Sequence, residues 1–141
     1  MIDQCPFCSL DFEKIRTIAS NDLVHVILSN PRLLPGHTLV MPRRHVEHPN
    51  DLTEVELLAI FKQINLVRAR MLEAIATGVD IRQNYRPFIK QGRTKVDHVH
   101  FHVLPRTNKD ELYQKSMRFE HEVFADLPES ERKQMLDLLT G

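Results

Sequence analysis

The chain has 141 residues, 42% hydrophobic and 27% charged, with 19 lysines and arginines against 19 aspartates and glutamates. That length suits one domain with one core, and no apolar run approaches the roughly 20 residues that span a bilayer. Zero net charge supplies no field for a nucleic-acid backbone. Neither a nucleic-acid polymer nor a membrane is expected as partner. The charged N-terminus lacks a signal-peptide core, so the cytoplasm is the expected location.

In chain order, residues 1–20 read as irregular, with a short helical turn through Phe12 to Ile18. Leu23 to Leu28 is a β-rich run halted at Asn30-Pro31. Pro35-Gly36 marks a second turn, and His37 to Met41 a second strand ended by Pro42. The pair reads as an antiparallel hairpin with a long connection. Thr53 and Glu56 have capping-box spacing, with Asp51 nearby. Apolar residues then recur at helical period (Leu57, Leu58, Phe61, Ile64, Leu66, Val67, Met71, Leu72, Ile75) up to Gly78, which predicts a helix over 53–76. That stripe is core or subunit interface.

Val79 to Lys90 reads as a strand with a polar middle at Gln83, Asn84 and Arg86. Gly92 turns the chain, and Val96 to Leu104 is the next strand, closed by Pro105. From Asp110 the chain turns helical and charged, and Pro128 suits the first turn of a last helix reaching Leu139. Strands and helices mix without βαβ alternation, which implies an α+β fold with an antiparallel sheet.

Between Arg86 and Arg106, five cationic residues (Arg86, Lys90, Arg93, Lys95, Arg106) face one acid, Asp97. On a neutral protein this suits a small anionic ligand, or else a solvated basic edge strand. The two cysteines form one Cys5-Pro6-Phe7-Cys8 pair. A disulfide does not fit a cytosolic chain of this size, and a dithiol redox pair normally follows a strand. Metal ligation is the reading left.

His98-Val99-His100-Phe101-His102-Val103-Leu104 carries the chemistry. A strand has period two, so the three imidazoles share one face, roughly 6–7 Å between successive Cα atoms. Buried without partners, such rings are costly. Two mechanisms use such a stripe. The histidines can surround a catalytic zinc, or a neutral imidazole can attack phosphorus while its neighbours stabilise the charge. The triplet alone does not choose.

The segment resembles the histidine triad superfamily, whose His-φ-His-φ-His-φ-φ signature His98 to Leu104 matches throughout. Pro35-Gly36-His37, followed by Met41-Pro42, resembles the family's Pro-Gly-His strand, and the likeness covers about residues 5–106. It implies that His100 is the nucleophile, that His102 contacts phosphate oxygens, that His98 orients the nucleophile and that His37 lies behind the triad. Its bacterial branch also implies a structural zinc on Cys5, Cys8, His45 and His98, with His48 competing for the place of His45. Two thiolates and two imidazoles make a closed tetrahedral site.

Where the family often has Gly-Gln-Ser/Thr-Val before the triad, this chain has Arg93-Thr94-Lys95-Val96-Asp97. Thr94 takes the glutamine position. Arg93 and Lys95 either substitute as cationic phosphate contacts or face solvent. The ribose contact implied by the resemblance falls on Asn30, or Ser29 one residue earlier, and the base among Leu23, Ile27 and Pro31.

The expected fold is α+β, a five-stranded antiparallel sheet with one long helix across it. Residues 1–106 form the domain, and 107–141 a C-terminal helical extension packed on it. The resemblance implies a homodimer. The expected function is a nucleotidyl hydrolase or transferase working through a nucleotidyl-His100 intermediate, with dinucleoside polyphosphates favoured over nucleoside phosphoramidates. A zinc hydrolase and a non-catalytic nucleotide-binding protein are the alternatives.

Overall fold

The computed structural model describes residues 5–9 and 16–141. Five strands, β1 (Thr17–Ser20), β2 (Val24–Leu28), β3 (Thr38–Pro42), β4 (Gly78–Arg82) and β5 (Phe101–Arg106), form one sheet in the order β1-β2-β3-β5-β4. All neighbours run antiparallel. Helix α1 (Glu54–Ala74) crosses the sheet, and α2 (Glu111–Val123) and α3 (Glu129–Thr140) follow. The α+β architecture expected from the sequence is the one observed. No helix among the described residues is long and apolar enough to cross a membrane.

Alternation along the strands sorts side chains to two sides. Val24, Val26, Val40, Phe101 and Val103 pack with Ile60, Ile64, Val67 and Met71 of α1. Ile27, Leu39 and Met41 belong to a smaller cluster, capped by Cys5 and Phe7 from the N-terminal segment. The central strands are therefore buried on both faces. His98, His100 and His102 lie on the side away from α1.

α1 starts at a complete capping box between Thr53 and Glu56. Glu56 is buried, and its two oxygens take Arg44 Nε and Nη2, each at 2.9 Å. The Arg44 bonds foremost, then the Thr53 backbone N–H, hold this carboxyl down at about 2. A buried charge persists only with such partners. The expected apolar stripe divides. Ile64, Val67 and Met71 are buried, whereas Leu57, Leu58, Phe61, Leu66, Leu72 and Ile75 stay exposed. Ile60, outside that stripe, is fully buried.

Several boundaries differ from the sequence reading. Residues 17–20 are not irregular but form edge strand β1, which a bulge between Thr17 and Ala19 offsets against β2. The rest of the expected Phe12–Ile18 turn falls largely outside the described residues. β4 stops at Arg82 instead of Lys90, because Gln83 to Lys90 has no ladder partner and Pro87 lacks an N–H. β5 begins at Phe101, not Val96, and runs through Pro105 to Arg106. Pro105 is tolerated because β3 pairs only as far as Val103.

Gly36 sits beside Pro105 with φ of +88°. A Cβ there would lie 2.9 Å from Ile75 Cδ1 and 3.2 Å from Pro105 Cγ. Conformation and space both demand glycine.

The extension is held where Arg106 pairs with Asp80 and with Asp110, the N-cap of α2. Beyond that anchor, neither α2 nor α3 has a buried residue.

Candidate functional site

The Cys5–Cys8 turn closes with the Cys8 N–H donating to the Cys5 carbonyl at 3.1 Å. Cys5 Sγ lies 3.5 Å from His98 Nδ1, and Cys8 Sγ lies 3.6 Å from it. Cys8 Sγ is also 3.3 Å from His45 Nδ1. All four ligand atoms lie within 4.8 Å of one another. Tetrahedral zinc, with bonds of roughly 2.0–2.3 Å, separates its ligand atoms by about 3.3–3.8 Å. The residues fit a metal ion. His98 Nε2–H donates to the Pro42 carbonyl at 2.8 Å, which leaves Nδ1 its lone pair. His45 Nε2 turns to Glu47 at 3.3 Å. Burial, then the adjacent Cys5 sulfur, pushes the Cys8 thiol up to about 11. A bound dication reverses that tendency. His48 takes no part, since it packs on Tyr85.

His98 and His100 precede the β5 ladder, yet the Val99 N–H donates to the Val46 carbonyl at 2.6 Å and holds them in line. Phe7 stands edge-on to both rings, 5.8 Å from His98 and 5.2 Å from His100 between centroids. His100 Nδ1 lies 2.7 Å from the His98 carbonyl oxygen. A carbonyl can only accept, so Nδ1 carries the proton and Nε2 keeps its lone pair. Burial lowers the ring's pKa, with the His98 carbonyl opposing. A neutral imidazole with an open Nε2 is a nucleophile.

A second chain of bonds governs the third histidine. The Leu33 N–H donates to His37 Nδ1 at 3.0 Å, so His37 carries its proton on Nε2. That nitrogen is 2.8 Å from His102 Nδ1, which must accept. His102 is left with its Nε2–H to donate. Burial first, then the nearby cations and rings, takes His37 down to about 4 and His102 to about 3. His98, His100 and His102 each commit Nδ1 or Nε2 to different partners and do not converge on one point. The catalytic-zinc alternative is not supported by this geometry.

These histidines line a cavity of about 850 Å³. Ser29, Asn30 and Pro31 line it from the β2–β3 turn, and Arg93, Thr94 and Lys95 from the β4–β5 connection. The Ser29 hydroxyl donates to the Pro31 carbonyl at 2.7 Å, whereas Asn30 is exposed. Lys95 pairs with Asp97, and Arg93 is exposed at the tip of the Gly92–Lys95 turn.

Two expected base contacts do not reach the cavity. Leu23 is at the far end of β2, roughly 20 Å from Asn30 at about 3.3 Å per residue. Ile27 is fully buried with Leu39 and Phe7, which form the lining above it. The sequence reading also missed Phe7, His48 and Tyr85 as lining residues. A signal for Tyr85 existed in the polar, aromatic break after β4.

The HIT domain family profile matches residues 13–109. A bis(5'-nucleosyl)-tetraphosphatase (asymmetrical) of Schizosaccharomyces pombe is 36% identical over 81 residues, 55% of this chain. The match spans 42% of that relative's length. The adenosine 5'-monophosphoramidase hnt1 of the same yeast is 27% identical over 115 residues, 75% of this chain and 77% of that protein. Among solved structures, a HIT family protein from Bacillus anthracis superposes with a TM-score of 0.69 at 19% identity, covering 98% of this chain and 96% of that one. A zinc-bound histidine triad family protein from Mycobacterium smegmatis gives 0.66 at 24% identity, covering 84% and 91%.

Proposed function

Since the chain belongs to the HIT domain family, we propose that it is a nucleotidyl hydrolase or transferase whose covalent intermediate forms on His100. One observation carries this reading: the His98 carbonyl holds Nδ1–H of His100, which leaves Nε2 with its lone pair on a ring that lines the cavity. Nε2 attacks the α-phosphorus, forming an N–P bond as the bond to the bridging oxygen breaks. The leaving group departs with that oxygen and its electron pair. Water then attacks phosphorus, the N–P pair returns to Nε2, and one proton is released.

His102 Nε2–H donates to the phosphoryl or bridging oxygen, where negative charge develops. Asn30 suits the ribose hydroxyls, with Ser29 beside it already bonded within the turn. The exposed Arg93 favours a polyanionic leaving group, whereas Lys95 is partly neutralised by Asp97. We therefore favour dinucleoside polyphosphates over nucleoside phosphoramidates. Diadenosine tetraphosphate would give AMP and ATP.

The Cys5, Cys8, His45 and His98 group suits a structural zinc that pins the N-terminal segment beside the nucleophile. Exposed Leu58 and Leu66 on α1 suit a homodimer. Free Cys5 and Cys8 suit the reducing cytoplasm. Residues 107–141 are assigned as an extension of the catalytic domain, held through Arg106 and Asp110.

Mass spectrometry of acid-sensitive, base-stable adducts after rapid mixing with diadenosine tetraphosphate tests the reading. An AMP mass on His100 is expected. Turnover by a folded His100→Ala variant at the normal rate would sink it, and substrate binding without turnover by the unaltered chain would favour a non-catalytic binder.

A further inference from the structure

The sheet order places β5 between β3 and β4, so the cavity opens on both sides of the nucleophile's strand. Its lining includes Asn30 from the β2–β3 turn and Gln83 to Pro87 from the segment after β4. At about 850 Å³ it lies toward the large end of ligand sites, which run from roughly 300 to 1,000 Å³.

The β4 side has its own recognition chemistry. Tyr85 lines the cavity and is 56% exposed, so its ring is open to a ligand. His48, arriving from the segment after β3, meets it at 5.1 Å between centroids and 61° between planes. That contact steadies the tyrosine ring edge-on. Arg86, the next residue, is exposed and makes no ion pair with a carboxylate among the described residues. It lines the same cavity as His102. A cation and an aromatic ring side by side in the cavity lining suit a phosphate and a base.

Resting on the dinucleoside polyphosphate reading, we propose that Tyr85 and His48 form a second base-binding subsite for the leaving nucleotide, with Arg86 holding its polyphosphate. The substrate then straddles β5. The transferred nucleoside lies toward Asn30 and the leaving base against Tyr85. Aromatic stacking is tolerant of base identity, so this subsite selects for a second base without choosing which one. A phosphoramidate, whose leaving group is an amine, uses none of it.

The experiment compares kcat/KM for diadenosine tetraphosphate and adenosine 5'-phosphoramidate in the full chain and in Tyr85→Ala, Tyr85→Phe and Arg86→Ala variants. Losing a base–aromatic stack should reduce the preference for the tetraphosphate about tenfold in Tyr85→Ala. Tyr85→Phe should restore it, and Arg86→Ala should shift it the same way as Tyr85→Ala. Equal losses on both substrates, or none on the tetraphosphate, would overturn the subsite. A methylene-bridged diadenosine tetraphosphate analogue separates the two readings by calorimetric binding. If the unaltered chain cleaves neither substrate, the hydrolase reading fails by itself. Binding about tenfold weaker in Tyr85→Ala would still support the subsite, and unchanged binding would overturn it.

Discussion

His37 Nε2 lies 2.8 Å from His102 Nδ1, and the Leu33 N–H occupies the other nitrogen of His37. Because the backbone donor forces the first tautomer, and the first tautomer forces the second, His102 presents a donor to the cavity. On the proposed mechanism His37 acts as a positioning residue for His102. His37→Ala should lower kcat about 100-fold, the scale of a misplaced catalytic group, with a smaller effect on KM. Nitrogen-15 NMR of His102 should show mixed tautomers in that variant. A pure Nε2–H form would refute this role.

The same two rings make stability depend on pH. In the unfolded chain an imidazole protonates near 6.5, whereas burial and then the charges of His100 and Arg82 hold His37 neutral to about 4. Burial, then His100, His37, Arg82 and Arg86, hold His102 neutral to about 3. Below pH 6.5 the unfolded state thus binds more protons, and stability falls as pH drops toward 4. Urea unfolding at pH 7 and pH 5 should differ by at most about 2 kcal/mol per ring. A His37→Gln variant should show a smaller difference, and an unchanged one would contradict this assignment.

Metal removal should act on the fold before the chemistry. Elemental analysis should find one zinc per chain. A strong chelator or Cys8→Ser should lower the Tm by at least about 5 °C. Activity should decline only as the N-terminal segment loosens, because Phe7 touches both His98 and His100. Instant loss of turnover at full foldedness would point instead to a catalytic ion.

The outer row of α1 provides a test of assembly. Leu58 and Leu66 are each 59% exposed and two helical turns apart, and a charge in a buried apolar interface is costly. Sedimentation should show a dimer for the unaltered chain and a monomer for a Leu58→Glu, Leu66→Glu double variant. A monomer in both would remove the homodimer from the proposal.

Legibility differed from element to element for physical reasons. Local pattern located α1, because a capping box and a 3.6-residue repeat are local properties. It did not say which apolar face was buried, since Ile60 and Leu58 look alike until the sheet is beneath one of them. Strand ends were read poorly. A ladder stops where its partner stops, and β4 and β5 lose their partners at positions that neither segment encodes. Leu23 was misplaced because apolar character says nothing about which end of a strand meets the ligand.

By itself, the sequence determined the residue types and their alternation: three imidazoles at period two, a thiol pair, a Pro-Gly turn. These follow from covalent order and short-range geometry. Tertiary structure alone decided which nitrogen of each ring is free. That choice depends on the Pro42 and His98 carbonyls and the Leu33 N–H, groups placed by folding around rings that are otherwise chemically identical.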